Sequence, residues 1–185
     1  MSDEPLVPIE TPVPPPGHVS PAAKHRHLSP SRVEVYLVTC SDTVHEGSDV
    51  SGKTMRGLLS GAGHQVVGQE VIPDEAPAIE ASLERARRSG ARVVLFSGGT
   101  GLASRDVTAE VLGRLYEKEI PGFGELFRML SFQEIGSAAM LSRASAGMSR
   151  GQVLFALPGS THAVKLAIEK LILPELGHLV RELSR

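Results

Sequence analysis

Tryptophan is missing from the 185 residues, and aromatic residues of all kinds make up only 4%. The core must therefore come from Val, Ile, Leu and Ala, and an apolar content of 41% is enough for one domain of ordinary size. Cysteine occurs once, at Cys40, which excludes an intrachain disulfide and fits a reducing compartment. Cys40 follows an apolar run, so it reads as a small buried hydrophobe. No Cys/His cluster has zinc spacing. No apolar stretch approaches the ~20 residues of a membrane helix. The acidic, proline-rich start has neither the basic nor the apolar region of a signal peptide. A cytoplasmic protein is expected. The formal net charge of -2 offers no general attraction to nucleic acid or an anionic membrane, so any anion site must be local.

Eight of the thirteen prolines fall in residues 1–31, including Pro14-Pro15-Pro16. Such a segment is expected to be a disordered or polyproline-like tail, with His25, Arg26 and His27 as a solvated basic spot. Residues 32–185 form the expected domain. There, strand patterns (Val33 to Thr39, His64 to Ile72, Ala91 to Ser97, Gln152 to Leu157) alternate with helix patterns (Ser51 to Leu59, Glu75 to Ser89, Val107 to Leu115, Phe123 to Leu130, and from Thr161). Arg143 to Met148 pairs with the last strand as a hairpin through Ser149-Arg150-Gly151, and Pro174 breaks or restarts the final helix. This order predicts an α/β fold with a mostly parallel sheet covered on both faces, whose ligands sit beyond the carboxyl ends of the strands.

The unusual residues lie at those ends. Gly98-Gly99-Thr100-Gly101, between a buried strand and a helix, lets main-chain N–H groups approach an anion closely, with the Thr100 hydroxyl and a helix start beside them. The spacing matches neither GxxxxGK[ST] nor GxGxxG, and a tight glycine turn accounts for it equally well. Pro158-Gly159-Ser160 has the same design, with Ser160 also suited to an N-cap. Asp74 and Asp106 each precede a helix, as N-caps do. Both should also share the sheet edge with the glycine loop, where carboxylates repel a phosphate unless a cation such as Mg²⁺ lies between. Two aspartates beside an anion cradle suggest metal-assisted phosphoryl or nucleotidyl transfer. Arg105 either offsets charge on the transferred group or pairs with Asp106. In Pro121-Gly122-Phe123-Gly124-Glu125, the flanking glycines leave the Phe123 ring either exposed to a flat ligand or in contact with another subunit. Glu125 either accepts hydrogen bonds from the amide and amine groups of such a ligand or occupies the first helical turn.

Ser97-Gly98-Gly99-Thr100-Gly101, Arg105-Asp106-Val107-Thr108, Ile120-Pro121-Gly122-Phe123-Gly124-Glu125 and Pro158-Gly159-Ser160 resemble, in order and spacing, the signature blocks of the MoaB/MogA family. The resemblance runs from about Val33 to the C-terminus. Phe127 to Phe132, Glu134-Ile135-Gly136 and Ser142-Arg143-Ala144 are most similar to its molybdenum cofactor biosynthesis protein B branch. It implies a three-layer αβα sandwich, a homotrimer or homohexamer, and a nucleotidyltransferase reaction in which the terminal phosphate of molybdopterin attacks the α-phosphate of Mg·ATP. It implies catalytic and Mg²⁺-binding roles for Asp74 and Asp106. It implies substrate binding by Ser41, Asp49, Ser51, Gly98, Gly99, Thr100, Gly101, Thr108, Glu125, Pro158, Gly159 and Ser160. A non-catalytic molybdopterin-binding carrier or regulatory module is the alternative.

Overall fold

The computed structural model describes residues 30–183, so the expected tail lies almost wholly outside the described residues. Six strands form one sheet: β1 (Glu34–Cys40), β2 (Gln65–Ile72), β3 (Val93–Ser97), β4 (Lys118–Glu119), β5 (Ser145–Ser149) and β6 (Gln152–Leu157), in the order β2-β1-β3-β6-β5-β4. The first four strands in that order run parallel, and β5 and β4 close the sheet antiparallel. The mostly parallel sheet is thus as expected. The two-residue strand β4 was not anticipated, being too short to show a period.

The helices are α1 (Val50–Gly61), α2 (Ala76–Arg88), α3 (Thr108–Leu115), α4 (Pro121–Ile135), α5 (Thr161–Ala167) and α6 (Leu173–Leu183). Alternate residues of each strand enter opposite layers, as the strand period requires. Val35 and Leu37 of β1 pack with Met55 and Leu59 of α1, Phe127 of α4, Val164 of α5 and Leu176 of α6. Tyr36, Val38 and Cys40 pack on the other face with Ile79 and Leu83 of α2 and Val111 and Leu112 of α3. The sheet is therefore the middle of three layers.

Three local features decide where loops go. Arg150 (φ 46) and Gly151 (φ 78) form the tight β5–β6 turn, a left-handed pair of the kind that matches hairpin twist. The expected hairpin is present. Pro174 does not end the C-terminal helix. A π-helical stretch at Ile168–Ile172 precedes α6, which restarts at Leu173 with Pro174 in its first turn, as one of the two expectations had it. Helix α4 extends beyond the expected Phe123–Leu130 in both directions and runs into a 3-10 turn at Gly136–Leu141.

β2 lies on one side of β1 and β3 on the other, so the loops leaving β1 and β3 part at the centre of the sheet. Such a switch point leaves a crevice at the carboxyl edge.

Candidate functional site

The crevice is occupied by the glycine loop. β3 ends at Ser97, level with Thr39 of β1 and Leu157 of β6. Gly98 then takes φ +107 and Gly99 φ +62. Gly98 donates its N–H to Leu157 O at 3.0 Å. A Cβ there would lie 2.1 Å from Cys40 O, so only glycine fits between β1 and β6.

Both aspartates meet this loop. A Cβ on Gly99 would lie 2.2 Å from Asp74 Oδ2, and one on Gly101 2.6 Å from Asp106 Oδ2. Asp74 arrives from the end of β2 and is held from α3, where the Thr108 hydroxyl donates to Asp74 Oδ1 at 2.9 Å. Burial pushes the Asp74 carboxyl above its ordinary range, and the charge of Asp106 adds to this. The Thr108 hydroxyl and the main-chain N–H groups of Val107 and Thr108 oppose it. Asp106 Oδ2 accepts from the Ala103 N–H at 2.9 Å, closing the loop on itself. Neither aspartate caps a helix: Glu75 and Val107 hold the cap positions of α2 and α3, with no side-chain cap bond.

The loop forms one wall of a cleft of about 410 Å³. Gly98 to Gly101, Asp106 and Pro158 to Ser160 supply its polar side, and Phe127, Ser131 and Ile135 of α4, with Ala139 and Leu141, supply its apolar side. Ser160 both lines the cleft and caps α5, accepting from the Ala163 N–H at 3.2 Å. Main-chain amides and one carboxylate thus face a largely hydrocarbon wall. Such a cleft suits a flat apolar body with an anionic end.

Other expected residues stand apart from this cleft. Asp49 is 1% exposed and already bonded, accepting from Thr39 Oγ1 at 2.8 Å and from the Gly52 N–H at 2.7 Å, which makes it the cap of α1. Ser51 donates to Gly159 O at 2.9 Å and lies 3.1 Å from Thr161 Oγ1, tying α1 to the Pro158–Ser160 turn. Ser41 accepts from the Val44 N–H at 3.1 Å and lines a separate pocket of about 610 Å³ with Asp42, His45 and Pro73. Glu125 is exposed on α4 just past its first turn, in a small pocket with Arg128 and Arg143.

Two expectations are corrected. Phe123 neither covers a ligand nor faces another subunit. It is buried in the core, edge-on to Phe155 with ring centres 4.9 Å apart, and stacked 6.3 Å from Phe127. The neighbouring glycine serves a different purpose: a Cβ on Gly124 would lie 2.7 Å from Ala144 O, so Gly124 lets α4 approach the chain entering β5. Arg105 pairs not with Asp106 but with Asp42, at the end of β1. Cys40 is buried as expected, and burial pushes its thiol up to about 12.

Among the described residues no group of three or more His, Cys, Asp or Glu could hold a metal ion. No helix among them is long and apolar enough to cross a membrane.

The cleft and its loops have known counterparts. Residues 36–178 match the family described as a probable molybdopterin binding domain. The chain belongs to the MoaB/MogA family. It is 47% identical to molybdenum cofactor biosynthesis protein B of Bacillus subtilis (strain 168) over 164 residues, 88% of this chain and 96% of that protein. A crystal structure of a molybdenum cofactor biosynthesis protein B superposes with a TM-score of 0.81 at 48% identity, over 85% of this chain and 99% of that one. The tungsten cofactor synthesizing protein MoaB from Pyrococcus furiosus follows at 0.79 and 37% identity, over 85% of this chain and all of that one (100%). The MoaB/MogA likeness covers the glycine loop, both aspartates and the Pro158–Ser160 turn, all of which fall within the matched residues.

Proposed function

We propose that the chain binds molybdopterin in this cleft and transfers AMP from Mg·ATP to its terminal phosphate. Membership of the MoaB/MogA family gives it a part in molybdenum cofactor biosynthesis. The observation that carries the finer reading is the contact of two carboxylates with one glycine loop, Asp74 against Gly99 and Asp106 against Gly101. A protein that merely stored a phosphorylated pterin would gain nothing from acidic groups at the phosphate end.

Asp74 and Asp106 are the residues that would hold Mg²⁺. Two carboxylates are too few for a resident ion but suit one that arrives on ATP with phosphate oxygens and water as its remaining ligands. Bound there, the ion would offset the charge of two approaching phosphate groups. The chain's own part is positional. The apolar wall at Phe127, Ile135 and Leu141 takes the pterin body, and the amides of the glycine loop take its phosphate. Held in that way, a pterin phosphate oxygen attacks the α-phosphorus of ATP, the bond to the β-phosphate oxygen breaks, and pyrophosphate leaves. The exposed apolar row on α4 (Leu126, Met129, Phe132, Ile135) supports a trimer or hexamer as the working form.

Incubation of the purified protein with molybdopterin and Mg·ATP, followed by chromatography and mass spectrometry, is expected to yield adenylylated molybdopterin and pyrophosphate. Asp106→Ala is expected to lose about 10²-fold or more in rate while remaining folded. Tight pterin binding with no AMP transfer at any Mg²⁺ concentration would replace this reading with the carrier.

A further inference from the structure

Arg143 lies outside the cleft, in the short link between the 3-10 turn and β5, yet all three nitrogens of its guanidinium are engaged, two of them with the site from behind. Nε donates to Thr100 O at 3.3 Å, Nη2 donates to Asp106 O at 2.9 Å, and Nη1 is paired with Glu110 of α3. Thr100 lies between the two glycines that meet the aspartates, and Asp106 is one of those aspartates.

A peptide unit is planar and trans, so its C=O and N–H point in opposite directions. Fixing Thr100 O therefore aims the Gly101 N–H away from Arg143, and Gly101 lines the cleft. Fixing Asp106 O does the same for the Val107 N–H, which faces the Asp74 carboxylate. A cation on the carbonyl end of a peptide also polarises its N–H end, because hydrogen bonds in series reinforce one another where water is scarce. The planar fork of arginine presents separate, rigidly placed nitrogens to the two carbonyls, whereas lysine offers a single point charge on a flexible stem.

The geometry points to Arg143 as a positioning residue: by gripping the carbonyls of Thr100 and Asp106 it orients the Gly101 and Val107 amides toward the phosphate end of the cleft and toward Asp74. This deepens the adenylyl-transfer reading and rests on it for its catalytic consequence, but the orientation of the two amides is a property of the ligand-free protein.

The test uses the full chain with Arg143→Gln, Arg143→Lys and Glu110→Gln. In ligand-free protein, amide hydrogen exchange at Val107 is expected to quicken roughly tenfold and the backbone order parameter of Gly101 to fall in both Arg143 variants, while amides of β3 stay unchanged. Glu110→Gln, which keeps both carbonyl bonds, should leave the Val107 exchange and the Gly101 order parameter as in the wild type. In the adenylyl-transfer assay, Arg143→Gln is expected to lower kcat roughly 10²-fold with little change in the KM for ATP, and ethylguanidinium should restore part of it. Unchanged exchange at Val107 with an unchanged order parameter at Gly101 in Arg143→Gln overturns the proposal. So does full recovery of protection and kcat in Arg143→Lys, or an equal loss in Glu110→Gln. If Arg143→Gln fails to fold, Arg143→Lys carries the same readouts. Should the wild-type protein make no adenylylated product, the proposed function falls and the exchange data alone decide the role of Arg143.

Discussion

Thr108 donates its hydroxyl to Asp74 Oδ1 at 2.9 Å, although the two residues stand 34 positions apart. Both side chains are buried where β2 and α3 meet the glycine loop. The bond stabilises the ionised form of an acid that burial would otherwise neutralise. In Thr108→Val that donor is gone, so the Asp74 carboxyl moves further above its ordinary value. If AMP transfer needs Asp74 ionised, the acid limb of the pH–rate profile shifts toward higher pH, with the plateau rate recovered at alkaline pH. A lower plateau with an unmoved acid limb would give Thr108 a direct contact with substrate instead.

Asp74 is held at a cost to the fold. Its folded pKa is raised, so between the ordinary carboxylate value and the raised one the folded state binds more protons than the unfolded state. Stability then falls as pH rises through that window and the penalty remains at neutral pH. Asp74→Asn keeps an acceptor for Thr108 but removes the charge. It is expected to raise Tm at pH 7, to raise it less at pH 4, and to abolish AMP transfer. Thermal melts at the two pH values check the sign. An equal or lower Tm at pH 7 would mean that Asp74 contributes more to folding than its burial indicates.

The parts of this site carried by main-chain chemistry were legible in the sequence. A run of apolar residues ending in Gly98-Gly99 specifies a buried strand and a turn with positive φ, and the topology rule then brings Asp74 and Asp106 to the same edge. The hairpin at Arg150-Gly151 was legible for the same reason. Side-chain pairings between distant segments were not. Nothing near Arg105 marks Asp42 as its partner, and nothing near Arg143 marks the carbonyls of Thr100 and Asp106. Phe123 was misread because flanking glycines suggest exposure, whereas Gly124 is needed for the close approach of α4 to Ala144. The apolar wall did have a signal: Phe127, Ser131 and Ile135 recur every fourth residue on one helix face.

Glycine substitutions should separate site from scaffold. Gly98→Ala forces a Cβ to within 2.1 Å of Cys40 O at φ +107, and main chain on both sides leaves no room to yield. Its expected cost exceeds about 2 kcal/mol. Gly57→Ala lies on the exposed face of α1 with nothing within 4 Å of the new Cβ, and should stabilise by about 0.5–1 kcal/mol. Urea denaturation of the two variants gives both numbers. Stabilities of the same sign in both would mean that the tight fit between β1 and β6 does not constrain Gly98.

Leu126, Met129, Phe132 and Ile135 recur at every third position of α4 and are 44–56% exposed, and Met140 and Leu141 extend the same kind of surface into the following turn. An apolar row of this length facing water favours association. Ile135 and Leu141 also line the cleft, so whatever covers the row also shields one side of the cleft from solvent. The wild-type protein is expected to sediment as a trimer or hexamer, and the pair Phe132→Asp with Met140→Asp to sediment as a smaller species. Neither substituted residue lines the cleft, so the dissociated variant should keep the aspartates and the glycine loop in place. It should lose pterin affinity through the exposed wall, raising KM for molybdopterin more than it lowers kcat. Sedimentation equilibrium and steady-state kinetics on the same preparations decide the matter. A wild-type monomer, or a dissociated variant with unchanged KM, would separate the apolar row from the working of the cleft.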